Sequence, residues 1–184
     1  LSGLVDVIGV FGMTNADEAM LADHRAFGRR RDEASAWRRL VIGDDARDWT
    51  VNDGEHVLFP YEGPILRPLD QLQGLHRWLW PSRTTLGNRA TFSKQTYFEE
   101  GRPWWEWHQV ALDRLLTPLS ITFAFVATGN HFVLDRGEKV FKQSAPIIKL
   151  PSKATEEEHL RILALLNSST GCFWMKCVFY PKGG

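Results

Sequence analysis

ITFAFVATGNHFVLDRGEKVFKQSAPIIKL, residues 121–150, is the stretch whose reading decides the fold. Ile121, Phe123 and Phe125 alternate with Thr122, Ala124 and Val126, the period of two that sends successive side chains to opposite faces of a strand. The expected strand runs from Ile121 to Thr128 and is buried on at least one face. Gly129-Asn130 suits a two-residue hairpin turn, which makes His131 to Asp135 the returning strand. Arg136-Gly137 supplies the next turn, and Val140-Phe141 and Ile147 to Leu150 read as further short strands.

Downstream, Thr155 followed three residues later by Glu158 is a capping box, and Glu156 and Glu157 suit the positive end of a helix. Leu160, Leu163, Leu166, Phe173 and Cys177 share one helical face, while Ile162 and Leu165 fall elsewhere. The expectation is one helix buried on more than one side. Upstream, Leu4 to Phe11 reads as a strand broken by Gly12 and Asn15, and Ala26 to Arg39 as a loop with one helical turn. Val57 to Tyr61 is a short strand stopped by Pro60 and Gly63-Pro64. Leu69, Leu72, Leu75 or His76, and Leu79 recur at helical spacing. Pro81 interrupts that helix, and Ser82 would cap a second turn through Leu86. Together these elements predict an α+β fold: a small mixed sheet of short strands with packed helices, including a buried C-terminal helix.

Hydrophobic residues make up 43% and charged residues 24% of the 184, which excludes a disordered or collagen-like chain and suits a single domain spanning 1–184. No apolar run reaches the roughly 18–20 residues that cross a bilayer. Two cysteines are too few for a disulfide framework and fit a reducing cytoplasm. The start at Leu1 and the loop-like Lys182-Gly183-Gly184 lead us to expect that both ends were cut from something longer. The formal net charge is zero, so any nucleic-acid partner requires local concentrations of positive charge. Basic residues do gather at Arg25 and Arg29 to Arg31, at Arg83, Arg89, Lys94 and Arg102, and at Lys139, Lys142, Lys149 and Lys153. A mixed, solvated surface explains the same pattern.

Motifs for catalysis are missing. There is no Gly-x-x-x-x-Gly-Lys phosphate loop and no Gly-x-Ser-x-Gly elbow. The six histidines are scattered, and Cys172 and Cys177 lack zinc-ligand spacing, so no metal is expected. Asn130-His131 with Asp135 has a nuclease-like look, but strand, turn and strand account for the same residues. The unusual feature is aromatic: eight tryptophans, three of them in Trp104-Trp105-Glu106-Trp107. Beside Arg102 and His108, such rings could stack on splayed bases or on sugars. Two of the three are expected to fill the core instead.

Five ordered stretches bear a family likeness: VFGMTNADEAML (Val10 to Leu21), LVIGDDARDW (Leu40 to Trp49) with VLFPYE (Val57 to Glu62), the run Trp80 to Gln109, the run Ile121 to Leu150, and HLRILALLNSSTGCFWMK (His159 to Lys176). Their order resembles the target recognition domain of the adenine-specific DNA methyltransferases of BREX type 2, or phage growth limitation, systems. More distantly it is similar to the TaqI-type specificity domain. The resemblance implies a parent enzyme that uses S-adenosylmethionine to methylate adenine in duplex DNA, holding the flipped base with an Asn/Asp-Pro-Pro-Tyr/Phe motif. This chain has no Pro-Pro pair and no Gly-rich cofactor loop. It is therefore expected to lack the catalytic domain, to bind no cofactor and to be inactive alone. Its implied partners are double-stranded DNA and other proteins of the defence system. The expected DNA contacts are Arg47, Arg83, Arg89, Lys94, Arg102, Lys142 and Gln143. A carbohydrate- or ligand-binding module, or a protein-docking module, built on the Trp-rich segment is the competing reading.

Overall fold

The structure is a computed structural model that describes residues 3–22, 36–47, 49–52 and 54–179. Two compact units divide the chain. One comprises Leu1–Phe11, Val41–Gly54 and Arg114–Gly184; the other comprises Gly12–Leu40 and Glu55–Asp113. The fold is α+β, with short strands and C-terminal helices, as the sequence patterning requires.

The first unit is organised by the 121–150 stretch. Four antiparallel strands lie in the order Val7–Gly9, Ile147–Lys149, Ser120–Phe123, Phe132–Asp135. Ile121 stands opposite Leu134 on one side and Ile148 on the other. That register gives one face to Ile121, Phe132, Leu134 and Ile148, which pack with Ile162, Leu163 and Leu166 of the helix Glu156–Leu166 in a single core. Full burial of each such side chain is worth about 1.5–3 kcal/mol. The opposite face carries buried polar groups. Lys149 donates from Nζ to the carbonyls of Thr117 (2.6 Å) and Leu119 (2.9 Å). Burial pulls its ammonium pKa down to about 8, against a smaller upward pull from Asp135. Asp135 accepts from the Gly137 N–H at 3.0 Å and from the Lys139 ammonium.

Two expectations need correction here. The central strand stops at Phe123 rather than Thr128, and the hairpin closes at Phe123 opposite Phe132, so residues 124–131 form a long loop instead of a two-residue turn. The backbone beyond Phe123 finds other partners: the Phe125 N–H donates to Ser144 O at 2.9 Å, and Asn130 Nδ2 donates to Leu166 O at 2.6 Å. The C-terminal helix is likewise two helices. Thr155 and Glu158 form the expected capping box, but the helix ends at Leu166. Asn167 turns to the sheet, accepting from the Phe132 N–H (3.0 Å) and donating to Phe132 O (2.8 Å). Ser168 then caps a new helix, Ser169–Val178, through the Gly171 N–H at 2.9 Å. His159, Ile162, Leu163 and Leu166 are buried, whereas Phe173 and Cys177 are exposed.

In the second unit, residues 37–40 of the strand Trp37–Val41, then His56–Leu58 and Leu21–Ala22, pair antiparallel in that order. Residues 37–39 are thus strand rather than the expected loop, because Trp37, Arg38 and Arg39 find partners in Leu58, Val57 and His56; residues 26–35 lie outside the described residues. Leu72, Leu75 and Leu79 are buried at the helix Gln73–Leu79, as their spacing predicts, while Leu69 is half-buried in the 3-10 turn Leu69–Gln71; Leu86 is buried in the helix Arg83–Gly87. A 3-10 turn, Trp80–Ser82, joins these helices around Pro81, and Ser82 makes no side-chain cap. Trp107 sits deep in this unit, donating from Nε1 to Leu58 O at 2.7 Å with its ring edge-on to Phe59 at 5.4 Å. No helix among the described residues is long and apolar enough to cross a membrane.

Candidate nucleic-acid interface

Residues 88–108 form an irregular segment, and irregular backbone needs partners for its carbonyls. Arg89 supplies them. Its Nε donates to Leu86 O (2.9 Å), one terminal nitrogen to Thr14 O (2.6 Å), and the other to Trp104 O (3.0 Å) and Glu106 O (2.9 Å). The side chain is 9% exposed, and its guanidinium lies 4.3 Å from the Tyr97 ring centroid. Burial lowers its pKa from the ordinary arginine value. Expected as a DNA contact, Arg89 is instead an internal clamp on three stretches of backbone.

Arg102 lies against the same ring at 4.6 Å and ion-pairs with Glu106 at 2.5 Å, keeping about a third of its side chain accessible. Next to it the Tyr97 hydroxyl meets His108 Nδ1 at 3.2 Å. Burial, with Arg89 and Arg102 nearby, holds the His108 pKa below its usual value. Trp104 and Trp107 are buried, as expected for two of the three rings in their cluster. Trp105 is half-buried and donates to Arg67 O at 3.1 Å. The Trp-rich segment therefore spends most of its aromatic area inside the unit.

The outward-facing aromatics are different ones. Arg83 begins its helix with an exposed guanidinium 5.4 Å from the Trp80 ring and 5.0 Å from the Phe98 ring. Trp80 is 56% exposed, and Phe98 is also exposed. Gly87 makes this stack possible, because a Cβ there would lie 2.0 Å from the Phe98 ring. Exposed cation–π contacts of this kind are worth about 0.5–1 kcal/mol each, and they gather two exposed rings and a cation on one small platform. Sequence reasoning named Arg83 as an expected DNA contact but did not place Trp80 and Phe98 beside it; the i, i+3 spacing of Trp80 and Arg83 was the available signal for the first of these contacts.

Lys94 is exposed at the tip of a tight turn, with φ of 69°, where its N–H donates to Thr91 O at 3.1 Å. Beneath it the Glu100 carboxylate accepts from the hydroxyls of Thr91 and Ser93, which hold its pKa below the usual carboxylate value. Phe92, exposed on the same turn, packs 4.6 Å from the His108 ring.

The other three expected contacts belong to the first unit. Arg47 folds back on the carbonyls of Gly43 (2.8 Å) and Ala46 (2.7 Å) and reaches Asp44 at 3.3 Å. Lys142 is half-buried and Gln143 exposed, on a turn closed by the Ala145 N–H to Lys142 O. Gln143 borders a hollow of about 460 Å³ with Asp44, Phe125 and Ser144. Among the described residues, no group of three or more His, Cys, Asp or Glu is placed to hold a metal.

The chain is 53% identical, over 179 residues, to the adenine-specific methyltransferase PglX of Streptomyces coelicolor. The match covers 96% of this chain but only 15% of PglX. No family model matches the chain. The similarity is to a segment of PglX, and PglX extends far beyond it.

Proposed function

We propose that this chain is the duplex-DNA recognition module of an adenine-specific DNA methyltransferase used in phage defence of the BREX type 2 kind. The likeness to PglX carries the proposal, because it spans nearly the whole chain at 53% identity. The chemistry of methyl transfer, and the S-adenosylmethionine it consumes, belong to the part of the parent polypeptide outside these residues. Within the module, Arg83 with Trp80 and Phe98, and Lys94 at its turn tip, are the groups that meet DNA. Arg102 assists from the edge. Arg89 acts from inside by holding the segment that carries them. Arginine reads guanine edges or phosphates, and an exposed ring stacks on sugars or unstacked bases.

The test is fluorescence anisotropy of the 184-residue chain on a pool of duplex fragments across a salt series. We expect log affinity to fall linearly with log salt, and Arg83→Ala or Lys94→Ala to make the slope shallower by about one unit where a phosphate contact is lost. Salt-insensitive binding to glycans would favour the ligand-binding module. Absence of any DNA binding at low salt, in this chain and in its parent polypeptide, refutes the proposal.

A further inference from the structure

The helix Ser169–Val178 buries none of its residues. Phe173 is 71% exposed, Trp174 57% and the following Phe179 62%, with Val178 also open to solvent. The Trp174 and Phe179 rings meet edge-on at 6.2 Å. Met175, by contrast, reaches the sheet–helix core. Beside this face lies a hollow of about 670 Å³, bounded by Met175, Lys176 and Phe179 on the helix side and by Phe125, Asn130 and His131 of the 124–131 loop.

A helix of ten residues is shorter than the roughly 12–15 that an isolated helix needs in water, and helices in proteins draw most of their stability from burying an apolar face. Four large exposed apolar side chains on this short helix and the residue that follows it are of the kind that marks an interaction surface. DNA does not fit it, since Lys176 is the helix's one charged residue and a phosphate-facing surface needs several.

We propose that Phe173, Trp174, Val178 and Phe179 form a docking face covered by another part of the same parent polypeptide. This rests on the relation to PglX, in which the matching segment is a small fraction of a much longer chain. A tethered partner acts at an effective concentration of about millimolar for short linkers, which favours a surface in the same chain over a second copy or a separate protein. The adjoining hollow receives a side chain from that covering segment.

Hydrogen–deuterium exchange on the full-length parent polypeptide and on the 184-residue chain tests this. We expect amides of residues 172–179 to exchange at least tenfold more slowly in the parent. Phe173→Asp with Trp174→Asp, in the parent, should return them to the fast rate while sheet amides at 121–135 stay protected. Should that variant fail to fold, maleimide labelling of wild-type protein gives the same answer, because Cys177 on this helix is exposed: the thiol should react readily in the short chain and slowly in the parent. Equal exchange and equal labelling in both proteins overturn the proposal. So does protection of the short chain that rises with its own concentration, which identifies a second copy as the occupant, and so does a native polypeptide no longer than these residues. None of these readouts involves DNA, so the docking face can fail while the recognition function stands, and the reverse.

Discussion

Replacing Arg89 with methionine keeps the aliphatic stem and removes the four donors that bind Leu86, Thr14, Trp104 and Glu106 carbonyls. Hydrogen bonds from a charged group contribute about 1.5–3 kcal/mol each, so four set a ceiling of roughly 6–12 kcal/mol. The guanidinium's own desolvation offsets several kcal/mol of this. Breaking a buried charged network by removing one partner costs about 3–5 kcal/mol. Set against a total stability of about 5–15 kcal/mol, Arg89→Met should lower Tm by roughly 10 °C or more. Arg83→Met, at an exposed site, should stay within about 1 kcal/mol of wild type. Thermal and urea unfolding of the 184-residue chain, followed by tryptophan fluorescence, measure both. The salt slope of DNA binding by the folded fraction should be unchanged in Arg89→Met. A variant that melts within 2–3 °C of wild type, yet loses salt-dependent DNA binding, would show that Arg89 faces DNA and that the clamp is misread.

Asn167→Ala removes the paired hydrogen bonds to Phe132 and should cost about 1–3 kcal/mol, read as a lower urea midpoint. Gly87→Ala places a methyl against the Phe98 ring; it should cost about 1–3 kcal/mol by overpacking and weaken DNA binding along with Arg83→Ala, and a neutral outcome on both counts would separate Phe98 from the platform. Thr155→Ala should cost about 1 kcal/mol through the lost cap, with helix amides near Glu158 exchanging faster. Lys149 predicts a pH effect. Its pKa is about 8 when folded and 10.5 in the reference state, so between those values the unfolded chain binds the proton more tightly. Stability from this group therefore rises as pH climbs from about 8 to about 10.5, by up to roughly 3 kcal/mol. Lys149→Met should flatten that rise in urea midpoints measured against pH, and an identical pH profile would remove Lys149 as its source.

Local chemistry alone set several features of this chain. The capping box at Thr155 and Glu158 requires only residues three apart, and the buried leucines 72, 75 and 79 require only helical spacing; both stand in the structure as the sequence predicts. That a strand beginning near Ile121 is followed by a return strand ending at Asp135 was equally legible, because alternation is local, but the register was not: a two-residue turn would set Ala124 opposite Asp135, where the structure sets Ser120. The length of the intervening loop was not, since the amides and side chains that end the strand bond to Ser144 and Leu166, residues distant in sequence. Nor was the break at Asn167, whose side chain chooses the sheet over the helix only once the two are packed.

The candidate interface shows the same division. The sequence by itself determined that arginines and aromatics crowd residues 80–108, and that no methyl-transfer motif accompanies them. Tertiary structure decided which of these groups face solvent. Arg83 and Arg89 differ little as residues in a string, yet one lies over exposed rings and the other is enclosed by four carbonyls. Three of those carbonyls, at Thr14, Trp104 and Glu106, come from segments far along the chain. A guanidinium's role follows from the acceptors that folding brings within its reach, and spacing along the sequence does not encode them.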